Sequence, residues 1–324
     1  MKKTLGYCCT ELQCERSILS ARNDGLVCHN DHFYPFIQGT EVPVFACEAD
    51  NANDYAQEDA VTIHDNSFRW VFQTFGTDES TLRKNLISRL KLSYGQTILV
   101  TGAGSGNDLP FLAQNLEGKG TIYAQDISKQ MLTAGVQKYN TSLNEFGVDV
   151  FFSASDATNL PFRDDFFDIA YHFGGLNLFP DLQKGISEMD RVVRPGGQVL
   201  ICDEGLAPWL KESEIGKMLI NNNPLYAYEA PLSLIPSNAR AVKLSWELSH
   251  CFYVIEFDVS DAPLPINIDI PHIGKRGGSI RSRYLGQLEG IDPDLRDKVY
   301  AKAEKLGISR VEYLESLLSA GCEL

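Results

Sequence analysis

The stretch that most constrains the fold of this chain is residues 97–108, which read Thr-Ile-Leu-Val-Thr-Gly-Ala-Gly-Ser-Gly-Asn-Asp. The apolar run at its start is typical of a parallel strand covered on both faces, and the residues after the glycines begin a helix. Gly102, Gly104 and Gly106 allow positive φ angles and let a ligand approach the backbone closely. The stretch therefore predicts a nucleotide-binding turn, with a plain strand-to-helix connection as the alternative.

Strands and helices alternate after this turn, which predicts a mainly parallel sheet. The second strand ends at Asp126, 20 residues after Gly106, where a carboxylate can accept hydrogen bonds from both hydroxyls of a ribose. Two ligands then fit, a nicotinamide dinucleotide and S-adenosylmethionine. Dinucleotide sites favour Gly-x-Gly-x-x-Gly, which seats a pyrophosphate. The spacing here is Gly-x-Gly-x-Gly without a basic residue nearby, and it favours the methyl donor.

Four further blocks follow in order. They are Val-Asp-Val-Phe-Phe at 148–152, Asp-Ala-Thr-Asn-Leu-Pro-Phe at 156–162, Phe-Phe-Asp-Ile-Ala-Tyr-His-Phe at 166–173 and Arg-Val-Val-Arg-Pro-Gly-Gly-Gln-Val-Leu at 191–200. Together with the glycine turn they resemble the class I S-adenosylmethionine-dependent methyltransferases, especially those of the ubiquinone/menaquinone-biosynthesis type (methyltransferase domain 11). The resemblance covers about residues 66–205. It implies an α/β fold with a Rossmann-like, seven-stranded, mostly parallel sheet and an antiparallel last strand.

The resemblance also implies how the donor is bound. Its methionine part is expected at the glycine turn, and its ribose at the end of the second strand. Its adenine is expected beside the loop that follows the third strand, and its sulfonium at the end of the fourth strand. The residues implied are Gly102, Ala103 and Gly104 for methionine, Asp126 for ribose, Asp156 and Ala157 for adenine, Ile127 and Met131 on the adenine faces, and His172 and Phe173 beside the sulfonium. One position departs from the family, which usually has an acidic residue where this chain has Val100.

Methyl transfer needs alignment and desolvation, and a base only where the acceptor must lose a proton. His172 is the first candidate base because of its place at the end of strand four, with a donor-contacting or packing histidine as the alternative. Weaker candidates are His64, Glu204 and His250. Aromatic residues of a helix near residue 70 either pack in the core or face the substrate, and the resemblance implies that the Pro-rich insertion 207–240 forms part of the acceptor pocket. The predicted acceptor-binding residues are Phe68, Trp70 and Tyr226.

Cysteine and histidine are concentrated near the start of the sequence. Cys9, Cys14, Cys28 and His32, spaced as Cys-x4-Cys and Cys-x3-His, can supply the four ligands of a tetrahedral zinc site. Residues 28–45 resemble the zinc-ribbon-like module that precedes some methyltransferase domains, although that module has a Cys-x2-Cys pair. The sequence leaves two alternatives for this segment, a zinc-binding module and a degenerate, metal-free β module.

These features divide the chain into a small zinc-ribbon-like module at 1–47, a linker at 48–66, a methyltransferase domain at 67–260 and a partly helical extension at 261–324. The net charge of −14 makes nucleic acid and anionic membranes unfavourable partners. Charged residues interrupt the first 20 positions, unlike a signal peptide, and no apolar run has the length of a membrane span. We therefore expect a cytoplasmic protein.

The function predicted from the sequence is S-adenosylmethionine-dependent methyl transfer to a small molecule, with an aromatic acceptor or one from secondary metabolism as candidates. Two alternatives stay open, an RNA methyltransferase and a donor-binding protein without turnover. The terminal helices could cover the active site or form a homodimer contact.

Overall fold

The structure, a computed structural model, describes residues 6–45, 60–139, 144–273, 278–285 and 291–322. The chain divides into two compact units, Met1–Ala262 and Pro263–Leu324. Between the amino-terminal module and the first helix, residues 46–59 lie outside the described residues, so most of the predicted linker at 48–66 is not described. Its last residues are helical, because the first helix begins at Ala60.

The first unit opens with a small antiparallel sheet of three strands. These are β1 (Ser20–Ala21), β2 (Gly25–Val27) and β3 (Phe33–Pro35), with β2 in the middle. The predicted amino-terminal β module is thereby confirmed. Its apolar side chains share one buried cluster with those of the central sheet. Members of this cluster include Leu26 and Tyr34 from the small sheet, Leu99 and Phe167 from the central sheet, and Tyr7 and Phe162 from connecting segments.

The central sheet has seven strands. They are β4 (Thr97–Thr101), β5 (Gly120–Asp126), β6 (Val148–Ala154), β7 (Phe167–Phe173), β8 (Val193–Glu204), β9 (Arg240–Glu247) and β10 (Phe252–Asp258). Their order is β6-β5-β4-β7-β8-β10-β9. Strands β4 to β8 pair in parallel, and β10 is antiparallel to both of its neighbours. The predicted Rossmann-like sheet with an antiparallel last strand is confirmed.

Helices cover both faces of this sheet. They are α1 (Ala60–Thr74), α2 (Glu79–Ile87), α3 (Leu109–Asn115), α4 (Lys129–Tyr139), α5 (Leu182–Val192) and α6 (Glu214–Asn222). Helices α1, α2 and α3 contribute Phe72, Leu82 and Leu112 to one apolar cluster, whereas α5 contributes Ile186 to the cluster on the other face, which the amino-terminal sheet shares. Both faces of β4 are thus buried, as its apolar sequence predicts.

The second unit is helical where it is described. It contains α7 (Ile280–Leu285), α8 (Pro293–Leu306) and α9 (Arg310–Cys322), which confirms the predicted helical extension. Helix α8 begins after Asp292, whose carboxylate accepts hydrogen bonds from the backbone N–H groups of Asp294 and Leu295. It ends at Gly307, where φ is +67°. Across both units, the helices that the structure describes are too short or too polar to span a bilayer.

Candidate functional site

A cavity of about 400 Å³ lies at the edge of the sheet where the parallel strands end. The loops after β4, β5, β6, β7 and β8 all contribute to its lining, because the carboxyl ends of parallel strands meet at one edge. Eight of the ten residues predicted to bind the donor line it. They are Gly102, Gly104, Asp126, Ile127, Met131, Asp156, Ala157 and Phe173.

The glycine turn forms one wall of the cavity without side chains. Gly102 and Gly104 have φ angles of +59° and +54°, which L-residues rarely adopt. A Cβ atom on Gly104 would lie 3.2 Å from Cε of Met131. Ala103 belongs to the turn and donates its N–H to the carbonyl of Gln125 (2.8 Å), but it does not line the cavity. The backbone here is therefore open to a ligand at its two glycines.

Asp126 ends β5 with its carboxylate held in place by the backbone. One oxygen accepts the N–H of Gly104 (2.7 Å) and the other accepts the N–H of Ser128 (2.8 Å). Burial raises the pKa of this carboxyl group, while these two hydrogen bonds act to lower it. Each oxygen retains a lone pair that can accept a ligand hydroxyl. This arrangement matches the geometry expected of a ribose site.

Asp156 and Ala157 reach the cavity from the connection between β6 and β7. Asp156 accepts the N–H of Thr158 through its carboxylate (2.7 Å) and the N–H of Asn159 through its carbonyl (3.0 Å). The Gln125 side-chain amide donates to the carbonyl of Ser155, just before this turn. The connection is therefore a fixed turn with its acidic side chain beside the cavity.

His172 lies behind the wall of the cavity. Its side chain is fully buried, and it is absent from the residues that line the cavity. Nδ1 is 3.0 Å from the hydroxyl of Thr101, and Nε2 has no hydrogen-bond partner within the described chain. Burial lowers the pKa of the imidazole, which favours its neutral form. His172 packs beneath Gly102, whose Cβ would lie 3.0 Å from its Cε1, which agrees with the alternative of a packing histidine; its role as the base stays a prediction.

The three predicted acceptor residues have different positions. Phe68 lines the cavity. Trp70 lies two residues further along α1, is 47% exposed and does not line it. Tyr226 is 1% exposed because it is packed in the core against Phe75 and Phe252. The structure therefore brings only Phe68 of the three to the cavity, and acceptor binding by these residues stays a prediction.

Glu204, the last residue of β8, also lines the cavity. One of its carboxylate oxygens is buried without a hydrogen-bond partner among the described residues. Burial and the neighbouring carboxylate of Asp203 raise the pKa of Glu204 well above its usual range. Asp203 itself accepts the N–H groups of Gly175 (3.1 Å) and Asn177 (2.6 Å). A buried acid at the end of the fifth parallel strand was the sequence signal that could have ranked Glu204 above His172.

Val100 is buried in the sheet, paired in register with Ala124 and Tyr171. The hydroxyl of Tyr171 lies 3.1 Å from a carboxylate oxygen of Asp108, and Arg83 pairs with the other oxygen at 2.6 Å. The acidic residues that line the cavity are Asp126, Asp156 and Glu204. Of these, Asp126 contacts the glycine turn, through the N–H of Gly104 (2.7 Å).

The four predicted metal ligands meet at one point in the amino-terminal module. The ligand atoms of Cys9, Cys14, Cys28 and His32 all lie within 4.8 Å of one another. Nδ1 of His32 is 3.7, 3.2 and 3.3 Å from the three sulfurs in turn, and the Cys14 and Cys28 sulfurs are 3.8 Å apart. Tetrahedral zinc with Zn–S bonds of about 2.3 Å separates its sulfurs by roughly 3.8 Å. The donor set and its spacing fit zinc.

Comparison with known proteins agrees with this geometry. Residues 99–201 match the family described as "Methyltransferase domain". A demethylmenaquinone methyltransferase from Desulfitobacterium hafniense is 34% identical over 133 residues, which cover 41% of this chain and 51% of the relative. Another, from Corynebacterium urealyticum, is 32% identical over 169 residues, covering 48% and 67%. The chain thus spans about half the length of the first of these relatives and two thirds of the second.

Among solved structures, phosphoethanolamine N-methyltransferase 2 from Haemonchus contortus in complex with S-adenosyl-L-methionine is similar with a TM-score of 0.50 and 13% identity. The similarity covers 75% of this chain and 71% of that one. At this level of identity it supports the fold alone.

Proposed function

This chain belongs to the class I S-adenosylmethionine-dependent methyltransferases, and we propose that it transfers a methyl group from S-adenosylmethionine to a small-molecule acceptor. The observation that carries the proposal is the meeting of the glycine turn, Asp126 and Asp156 in one cavity. A donor with a methionine part, a ribose and an adenine needs these three features in this order along the strand ends.

The acceptor end of the cavity suits a flat, apolar molecule. Apolar side chains from α1, the loop after β7 and the insertion after β8 surround it, and burial of such surfaces favours apolar ligands. These residues are Phe68, Phe173, Leu178, Phe179, Pro180 and Leu225. The relatives named demethylmenaquinone methyltransferases support an aromatic ring of the quinone type as the acceptor class. Attack on the methyl carbon needs an electron-rich ring, so we propose the reduced form.

Glu204 is the residue that we propose as proton acceptor. S-adenosylmethionine supplies a methyl group on a positively charged sulfur, which is already activated for displacement. A reduced quinone ring attacks this methyl carbon in line, the carbon–sulfur bond breaks and its electron pair stays on sulfur. The proton lost by the acceptor goes to the Glu204 carboxylate. The raised pKa favours the protonated acid, so Glu204 acts as a base only where it is ionised, and the ionised carboxylate is then a stronger base.

Donor binding and methyl transfer are tested separately. We expect S-adenosylhomocysteine to bind in calorimetry, and tritium-labelled methyl to pass to 1,4-dihydroxynaphthalene or to a component of a small-molecule extract. Label in total RNA would instead support the alternative of an RNA methyltransferase, which the acidic net charge of −14 disfavours. Donor binding without label in any acceptor would support a protein without turnover.

We also propose a structural zinc ion held by Cys9, Cys14, Cys28 and His32. Three thiolates and one imidazole fill a tetrahedral coordination shell and leave no open position, which is typical of structural rather than catalytic zinc. Protein purified without a polyhistidine tag should contain one zinc per chain by elemental analysis, and its absence would return the module to the metal-free alternative. The cytoplasmic location and the homodimer contact stay predictions.

A further inference from the structure

We propose that the metal-binding module positions the adenine end of the donor site, so that loss of the metal weakens donor binding. The inference rests on the proposed function, because it concerns the affinity of the same cavity for the donor. The backbone of the module is hydrogen-bonded to the segment that carries the predicted adenine contacts. The connection from Ala154 to Phe162 carries Asp156 and Ala157 into the cavity, and its two ends are held by the module.

The first end is held by the segment that follows β3. The N–H of Ala154 donates to the carbonyl of Pro43 (2.9 Å), and the carbonyl of Ala154 accepts the N–H of Phe45 (2.7 Å). Val44 and Ala154 thereby form a parallel bridge. The turn that presents Asp156 begins two residues later, so this bridge fixes its starting point.

The second end is held by residues adjacent to the cysteine ligands. The N–H of Cys8 donates to the carbonyl of Pro161 (2.8 Å), and Tyr7 bridges Phe162 with their rings 5.3 Å apart. Cys8 directly precedes the ligand Cys9. A shift of Cys9 would therefore be transmitted to the connection through a single peptide unit.

Arg16 makes a third contact, two residues after the ligand Cys14. Its guanidinium donates to the carbonyl of Leu160 (2.6 Å) and pairs with Glu188 on α5 (3.4 Å). Glu188 in turn accepts the N–H of Leu160 (2.8 Å). The Leu160 peptide is therefore bonded on both sides by a network that includes the module.

A module of this size has little core of its own, so its local geometry depends on the metal or on docking. Four metal bonds at Cys9, Cys14, Cys28 and His32 would fix the chain around Cys8 and Arg16 relative to β2 and β3. The metal then acts on donor affinity at a distance by fixing the backbone that carries the adenine contacts. The methionine end, which the glycine turn forms, has no such contact with the module among the described residues.

The test compares ligand affinity with and without zinc, in the full chain and by calorimetry. We expect zinc removal by chelation, or Cys28→Ser, to raise the Kd of S-adenosylhomocysteine about tenfold, equivalent to about 1.4 kcal/mol. The Kd of 5′-methylthioadenosine, which lacks the amino-acid part, should rise by the same factor because the change is at the adenine end. Added zinc should restore both affinities in the chelated wild type.

A second variant separates positioning from folding of the module. Arg16→Ala leaves all four ligands in place, so we expect unchanged zinc content with a several-fold weaker affinity for both probes, and partial recovery in Arg16→Lys. The matched control is Arg22→Ala, whose guanidinium is 56% exposed and pairs only loosely with Asp31 at 3.6 Å. This variant should bind both probes like the wild type.

Failure of the zinc effect and failure of donor binding give different results in this experiment. The inference is overturned if zinc removal leaves the affinity for S-adenosylhomocysteine unchanged and Arg16→Ala binds it as the wild type does. The methyltransferase proposal would still stand. A chain that takes up no zinc also overturns it. Zinc-loaded wild type that fails to bind either probe refutes the donor site itself, and the inference with it.

Discussion

At the scale of single residues, we propose Glu204 as the base, a role for which the sequence ranks His172 first. Burial and the neighbouring carboxylate of Asp203 both raise the pKa of the Glu204 carboxyl group. We expect Glu204→Gln to lower turnover of a reduced-quinone acceptor by about a hundredfold or more, with the Kd of S-adenosylhomocysteine unchanged. Glu212→Gln, which removes an exposed carboxylate, is the charge-matched control. Wild-type turnover in Glu204→Gln would exclude Glu204 as the base.

The raised pKa of Glu204 also predicts a pH dependence of stability that needs no acceptor. A carboxyl whose pKa is higher in the folded than in the unfolded state binds more protons when folded, so the free energy of unfolding decreases as pH rises between the two values. Urea unfolding across this range should show the wild type losing stability relative to Glu204→Gln as pH increases. Parallel curves for the two proteins would mean that the folded-state pKa of Glu204 is not raised.

Asp126 is the residue for which we predict the most direct effect on donor affinity. Its two oxygens are oriented by Gly104 and Ser128, and each hydrogen bond from a ribose hydroxyl to a carboxylate contributes more than one to a neutral acceptor. We expect Asp126→Asn to raise the Kd of S-adenosylhomocysteine at least about a hundredfold, measured by calorimetry, with Glu212→Gln unaffected. Equal affinity in the two variants would remove Asp126 from the ribose site.

At the scale of elements, the sequence predicts the strands and the glycine turn well because each depends on local pattern. It fails at side-chain direction. His172 and Phe173 are neighbours on β7, and neighbouring side chains on a strand point to opposite faces. Phe173 lines the cavity, whereas His172 points toward Thr101, which contacts Met189 of α5. Only one of the two side chains can therefore point into the cavity. Likewise, Phe68 and Trp70 on α1 are about 200° apart around the helix axis.

The glycine turn supports a prediction at the same scale. Gly104→Ala places a Cβ at a φ of +54° and 3.2 Å from Met131, which should cost about 1 kcal/mol of stability and reduce donor affinity by crowding the cavity wall. Gly95→Ala is the control, since Gly95 has a φ of +81° and open space around its added Cβ. It should lose comparable stability in thermal unfolding but bind S-adenosylhomocysteine normally. Equal donor affinity in both variants would show that the turn does not line the donor site.

At the scale of the whole molecule, the amino-terminal module and the central sheet share one apolar cluster. Sequence spacing locates the four ligands but cannot show this docking, because the contacts join residues more than a hundred positions apart, such as Cys8 and Pro161. A shared core predicts that metal removal destabilises the first unit as a whole. We therefore expect chelation to lower its unfolding midpoint within one transition, rather than to release a separate early transition for the module.

The size of that shift follows from mass action, because zinc at 100 times its Kd stabilises the folded state by about 2.7 kcal/mol. Calorimetric scans of the wild type with zinc and with chelator measure it. Cys251→Ser removes a buried thiol that is not one of the four zinc ligands. It should lower the unfolding midpoint with zinc and with chelator, yet keep the difference between the two midpoints. Cys28→Ser should lose that difference, because three ligands hold zinc far less tightly than four. Two separated transitions in the chelated wild type would show that the module folds independently of the sheet on which it packs.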